Sequence, residues 1–123
     1  MKTKIITSLS LFLLSLAVLA QKEPVKVDKG YKVEIKTSAV CEMCKEAIES
    51  DLVFEKGVKE VNLDVDSKIL TVVYNEKKTD PLTIRKRVAK VGYNADNVKR
   101  DPESYENLPM CCKDGAHDDD GNH

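Results

Sequence analysis

Tyr31-Lys32-Val33-Glu34-Ile35-Lys36-Thr37 alternates apolar and charged side chains, and Ser38-Ala39-Val40-Cys41-Glu42-Met43-Cys44 then leads into a different period. Tyr31, Val33, Ile35 and Thr37 fall on one face, with Lys32, Glu34 and Lys36 on the other, which predicts a half-buried strand. Beyond it, Cys44, Ala47, Ile48 and Leu52 recur at three- and four-residue spacing while Lys45, Glu46, Glu49 and Ser50 face away. That is an amphipathic helix ending near Phe54, with Gly57 placed to stop it. The two cysteines therefore sit where a strand turns into a helix.

The rest of the chain extends the order of elements. Val61, Leu63 and Val65 alternate with Asn62 and Asp64, a polar turn follows at Asp66-Ser67-Lys68, and residues 69–74 form a second β-rich run. Strands joined so tightly predict a hairpin. Asp80-Pro81 offers a cap and a first-turn proline, and Ile84, Val88 and Val91 recur at helical spacing up to Gly92. A weak extended segment at residues 95–98 completes β-α-β-β-α-β. The predicted fold class is α+β: a ferredoxin-like βαββαβ sandwich, an antiparallel sheet with two helices on one face.

Outside this core the composition changes. Lys2 and Lys4 precede an uncharged apolar run over residues 5–19 that closes on Val18-Leu19-Ala20. This is the layout of a secretory signal peptide over residues 1–20, cleaved after Ala20, and it predicts an exported protein of the periplasm or extracellular space. Residues 21–29 are expected to be a linker and residues 30–100 the domain. Residues 21–100 carry a net charge of +3 and residues 101–123 a net charge of −6, so the tail is a separate zone. Asp101-Pro102 repeats the cap-and-proline start of a short helix, Leu108-Pro109 ends it, and disorder is expected beyond Met110. The formal charge of the whole chain is −1, which gives no basic field for nucleic acid. Its 123 residues suit one small domain, and both histidines lie in the last seven, away from any catalytic constellation, so a binding module without turnover is expected.

Cys41 and Cys44 carry the expected chemistry. Two thiols three residues apart at a helix start can converge on one ion, thiolate is the binding form, and a helix N-terminus favours a nearby anion. A pair of sulfurs with no histidine suits Cu(I) or Hg(II) better than zinc, which takes four ligands. A disulfide between them, or a redox-active pair, is the competing reading for an exported chain. Val40 before the motif and the short chain separate it from thioredoxin-like enzymes. Glu42 is expected to point to solvent.

With these motifs in place, residues 31–98 resemble the heavy-metal-associated (HMA) domain family of copper chaperones, of the N-terminal regions of metal-exporting P-type ATPases and of the periplasmic mercury-binding protein. The resemblance rests on Cys41-x-x-Cys44 at the junction, Lys56-Gly57-Val58 before the second strand, the two runs at residues 61–65 and 69–74, and Val91-Gly92-Tyr93 after the second helix. It implies that Cys41 and Cys44 are the metal ligands, that Tyr93 lies beside them, and that the cargo is a soft ion, Cu(I) first and Hg(II) second. It also implies a metal-transporting membrane protein or another metallochaperone as partner, and a monomer that a shared ion can bridge into a dimer. Ser38-Ala39 replace the family's Gly-Met, whose methionine packs beneath the loop.

A second thiol pair, Cys111-Cys112, belongs to the tail. Adjacent cysteines cannot both reach one ion without local distortion, and a bridge between them is strained. They are candidate additional ligands if about ten residues return the roughly 15 to 20 Å to the motif; otherwise they are disulfide partners of Cys41 or Cys44, resolving thiols of a redox protein, or a bystander pair. His117, His123 and the aspartates at 118–120 offer only weak metal affinity on a solubilising end. The cluster Arg85-Lys86-Arg87 is expected on the exposed face of the second helix. A disulfide-stapled adaptor is the third class of function compatible with this cysteine content.

Overall fold

A computed structural model describes residues 22–113. The expected signal peptide at 1–20 and the tail residues His117, His123 and 118–120 lie outside the described residues. The elements in chain order are β1 (Val25–Val27), β2 (Gly30–Lys36), α1 (Glu42–Leu52), β3 (Val58–Asp64), β4 (Ile69–Tyr74), α2 (Pro81–Val91), α3 (Pro102–Glu106) and a 3-10 turn (Met110–Cys112). The four strands form one antiparallel sheet in the order β1-β2-β4-β3. No helix among the described residues is long and apolar enough to cross a membrane.

The alternation along the strands decides the core. Val33 and Ile35 of β2, Leu63 of β3, and Leu70, Val72 and Tyr74 of β4 are buried on one sheet face. Cys44, Ile48 and Leu52 of α1 and Ile84 and Val88 of α2 close over them in the same cluster. Both helices thus cover one face, the ferredoxin-like arrangement that the periodicity predicts. The Asp80 carboxylate accepts the Thr83 N–H at 2.8 Å to start α2, and α2 ends at Gly92, whose φ of +120° lies in the region that favours glycine.

Two features differ from expectation. Residues 25–27, expected as linker, are the edge strand β1, paired antiparallel with Gly30, Tyr31 and Lys32. Val25-Lys26-Val27 alternates and Asp28-Lys29-Gly30 is a tight turn, so the signal was present but brief. Gly30 is required there: at φ +141° a Cβ would collide with the Tyr74 carbonyl of the next strand. The expected last strand shrinks to isolated bridges, Thr37 with Ala95 and Ala95 with Val98. Ala95 nonetheless docks on the edge where the fold needs it, and β1 covers the other end of the same β2 edge.

Charged side chains then tie the layers together. Glu49 Oε2 accepts the Leu63 N–H at 2.7 Å, and Lys45 Nζ donates to the Leu63 carbonyl at 2.8 Å while pairing with Glu49. One helix turn thereby satisfies outward-facing backbone groups of edge strand β3. The basic cluster of α2 is a solvated face only in part: Lys86 is exposed, as expected, but the two arginines turn to acids. Arg85 is 8% exposed, with Nε 2.8 Å from Asp96 Oδ2, and Arg87 holds Asp51 and Glu55 at the end of α1. The Arg87 stem reaches across the helix pair and Arg85 reaches the segment after its own helix, pairings that helical periodicity alone does not reveal.

The Asp96 carboxylate has two partners, since Oδ1 also accepts the Lys36 N–H at 2.9 Å. Asp96→Ala leaves the Arg85 guanidinium buried and unpaired and should cost about 3 kcal/mol in urea denaturation. At the start of α2 the Thr83 N–H holds the Asp80 carboxyl below its usual range. A folded pKa lower than the unfolded one gives stability that is present above the unfolded value and lost as pH falls through the folded one. Asp80→Ala should therefore cost about 1 kcal/mol near neutrality, with the difference from the parent closing in acid, while Asp80→Asn retains the cap; urea midpoints across a pH series report both.

Candidate metal centre

The corner between β2 and α1 is built by short polar bonds. Thr37 Oγ1 donates to the Lys68 carbonyl at 3.0 Å and accepts the Ala39 N–H at 3.2 Å. Ser38 Oγ accepts the Asn94 N–H at 2.9 Å, which ties the loop to the segment after α2. Ala39 is fully buried in the core cluster. The Ser38-Ala39 pair thus fixes the loop with a small buried residue and a cross-loop hydrogen bond.

Cys41 is the N-cap of α1, with extended backbone angles, and its carbonyl accepts the N–H groups of Cys44 and Lys45. Its side chain makes no capping bond, so the thiol is available to other partners. Cys41 Sγ lies 3.2 Å from Cys44 Sγ. Cys44 points inward and is fully buried, whereas Cys41 is partly exposed at the rim. Glu42 is exposed, as expected.

The tail returns to this corner. After Ala95 and Val98 turn the chain, the Asp101 N–H bonds the Ala89 carbonyl at 2.9 Å, and the Asp101 carboxylate accepts the Ser104 N–H to cap α3. Leu108 packs into the core cluster directly over Gly92, where an added Cβ would stand 3.2 Å from a Leu108 methyl. Pro109 then opens the 3-10 turn that carries Cys111 and Cys112. The expected disorder beyond Met110 does not hold for residues 110–113, because Cys112 is 3% exposed in the same core.

All four cysteines are thiols. Cys41 Sγ is 3.7 Å from Cys112 Sγ and 3.9 Å from Cys111 Sγ, and it approaches the Cys111 carbonyl at 3.5 Å. The two tail sulfurs are 4.0 Å apart. Cys41, Cys111 and Cys112 form a group able to hold an ion, with all three sulfurs within 4.8 Å of one another. Met43, exposed on the first turn of α1, adds a fifth sulfur: the Cys111 thiol donates to its Sδ at 3.3 Å. The motif reading passed over Met43, whose only sequence signal was a soft atom between the two cysteines.

Tyr93 lies against the cluster from the core side. It is 1% exposed, and its hydroxyl faces the Cys112 and Cys44 thiols with no hydrogen-bond partner in proper geometry. Burial, more than any neighbour, pushes the Cys112 thiol pKa well up. Burial thus favours the protonated thiol, while a sulfur that gives up its proton to an ion offers the buried Tyr93 hydroxyl the acceptor it lacks. The donor set is entirely sulfur, which fits a soft or borderline ion.

The comparisons agree with this architecture. Residues 35–94 match the heavy-metal-associated domain. A zinc-transporting ATPase of Synechocystis sp. is 42% identical over 59 residues, which are 48% of this chain and 8% of the ATPase, so the chain spans a small fraction of that relative. Among solved structures, the CopZ metallochaperone superposes with a TM-score of 0.51 at 22% identity, covering 52% of this chain and 97% of that one. The N-terminal domain of a potential copper-translocating P-type ATPase from Bacillus subtilis, in its Cu(I)-loaded state, gives a TM-score of 0.50 at 27% identity and covers 53% and 82%. Strand-to-helix corner, buried helix pair and sequence match converge on residues 35–94, the stretch of this chain that matches the heavy-metal-associated domain.

Proposed function

We propose that this protein binds a soft heavy-metal ion through Cys41 and Cys44 and sequesters it or passes it on by thiolate exchange, without catalysing a reaction. The observation that carries this reading is the pair of sulfurs 3.2 Å apart at the first turn of α1, on a corner that bonds to distant segments hold in place. Thiol-only donors support Cu(I) over harder ions, with Hg(II) as the alternative cargo. Zinc enters through the Synechocystis ATPase, whose name specifies it, but among the described residues the sulfur cluster includes no histidine or carboxylate to complete a mixed site. Partner choice follows from the relatives: a metal-transporting P-type ATPase or a second metallochaperone offers the incoming thiolates. The basic, then apolar, N-terminus supports export, with delivery outside the cytoplasm as part of the proposal. A shared ion between two copies is the expected route to a dimer.

The second reading, thiol-disulfide exchange, draws on the same 3.2 Å approach, since sulfurs so close need little movement to bond. One series separates the two. Anaerobic titration of the reduced protein with Cu(I) against a competing chelator should give tight one-to-one binding, weakened at least about 100-fold in Cys41→Ser/Cys44→Ser. Parallel titrations with Zn(II) and Hg(II) rank the cargo. A parent that holds Cu(I) no better than the double variant, yet reduces a disulfide substrate, rejects metal handling in favour of redox chemistry.

A further inference from the structure

The Cys41–Cys44 pair sits closer than a linear two-sulfur clasp holds its thiolates, so it is a binding pair that must widen on loading. Thiolates on opposite sides of one ion, at a metal–sulfur length of about 2.3 Å, stand about 4.6 Å apart. The pair must therefore open well beyond 3.2 Å to clasp an ion alone. The triangle of Cys41, Cys111 and Cys112 needs no such opening. Its edges of 3.7, 3.9 and 4.0 Å place the centre about 2.2 Å from every sulfur, beside a metal–thiolate bond of about 2.3 Å.

We propose that Cys111 and Cys112 are resident ligands, and that with Cys41 they form a three-thiolate site for a d10 ion such as Cu(I), with Cys44 buried beneath as a fourth sulfur within reach of Cys41. The proposal rests on the metal-binding reading of Cys41 above and extends it to the tail. Three observations carry it: the near-equilateral sulfur triangle, the anchored return of the chain, and the unmatched Tyr93 hydroxyl aimed at Cys112 and Cys44. The return path is constructed at each step, by Asp101 on Ala89, by α3, by Leu108 over Gly92 and by the Lys113–Glu106 ion pair. Entropy of bringing the tail back is thus met before the ion arrives, which is the preorganisation a tight site requires. On loading, three S–H bonds lose protons to solvent, three sulfur–metal bonds form, and the ion keeps its oxidation state. Tyr93 then donates to a thiolate.

Exchange follows from burial. Cys111 is partly exposed beside Met43 on the outer side, while Cys112 and Cys44 are buried, so an incoming thiolate meets Cys111 first. Displacing one sulfur of three keeps the ion held by two throughout the transfer. The tail acts as an internal competitor that slows loss to weak ligands and yields to a partner with two cysteines.

The test is copper X-ray absorption on the monomeric, one-to-one Cu(I)-loaded protein with no external thiol, together with retention against the chelator. The parent is expected to show three or more sulfurs, dropping to two in Cys111→Ser/Cys112→Ser with at least about tenfold weaker retention. Cys111→Ser alone removes a partly exposed sulfur at the edge of the core and leaves buried Cys112 in place, and decides the matter if the double variant misfolds. Leu108→Ala, which keeps every sulfur and loosens only the tail, should weaken retention in the same direction. Two sulfurs in the parent, with retention unchanged in the tail variants but lost in Cys41→Ser/Cys44→Ser, overturns the tail site and leaves the motif site standing. Retention unchanged in Cys41→Ser/Cys44→Ser overturns both.

Discussion

The corner at Thr37-Ser38-Ala39 holds the rest of the molecule in register. Thr37 ties the end of β2 to the β3–β4 turn through Lys68, and Ser38 ties the loop to Asn94 after α2. Between these bonds Ala39 is buried, and only a small side chain lets the chain turn into α1 with Cys41 at its cap. The two bonds connect segments 31 and 56 residues apart. Sulfur positions at the start of α1 are therefore set by the closure of the whole sheet and not by the local motif.

The same closure explains where the charges go. Asp96 receives the Lys36 N–H and the Arg85 guanidinium in one carboxylate, so the short Ala95 bridge is reinforced by a buried ion pair beside it. A minimal last strand is sufficient because this pair supplies the anchoring that a longer ladder would otherwise give. Arg87 does the equivalent work between the two helices. Both arginines occupy a helix whose remaining polar residues face water, and the composition of that helix gives no hint of which positive charges are inward.

Around the thiols, the tail brings two further sulfurs to the motif corner. A rim site of two sulfurs is open to solvent and to exchange, while added ligands slow loss of the ion and raise selectivity for soft cations. Cys112 reaches the core only because Leu108 seats on Gly92, and Gly92 ends α2 in a conformation that also leaves that seat open. Helix termination and tail docking are thus one event. Tyr93, the next residue, is carried by the same turn to the underside of the sulfurs.

Much of this was legible in the residues. Period-two alternation over β2, β3 and β4, period 3.6 over α1 and α2, and the Asp-Pro starts of α2 and α3 follow from local sterics and from which faces can be buried, so sequence alone determined these elements and the placing of Cys41-x-x-Cys44 at a strand-to-helix corner. Val25–Val27 escaped because three residues are too few to show a period, and its pairing depends on Gly30 clearing Tyr74. The inward turn of Arg85, the approach of Met43 to Cys111, and the convergence of Cys41 with Cys111 and Cys112 were decided only by tertiary structure. Each joins side chains through space across 11 to 71 residues of chain, and the distances depend on packing that no single segment encodes.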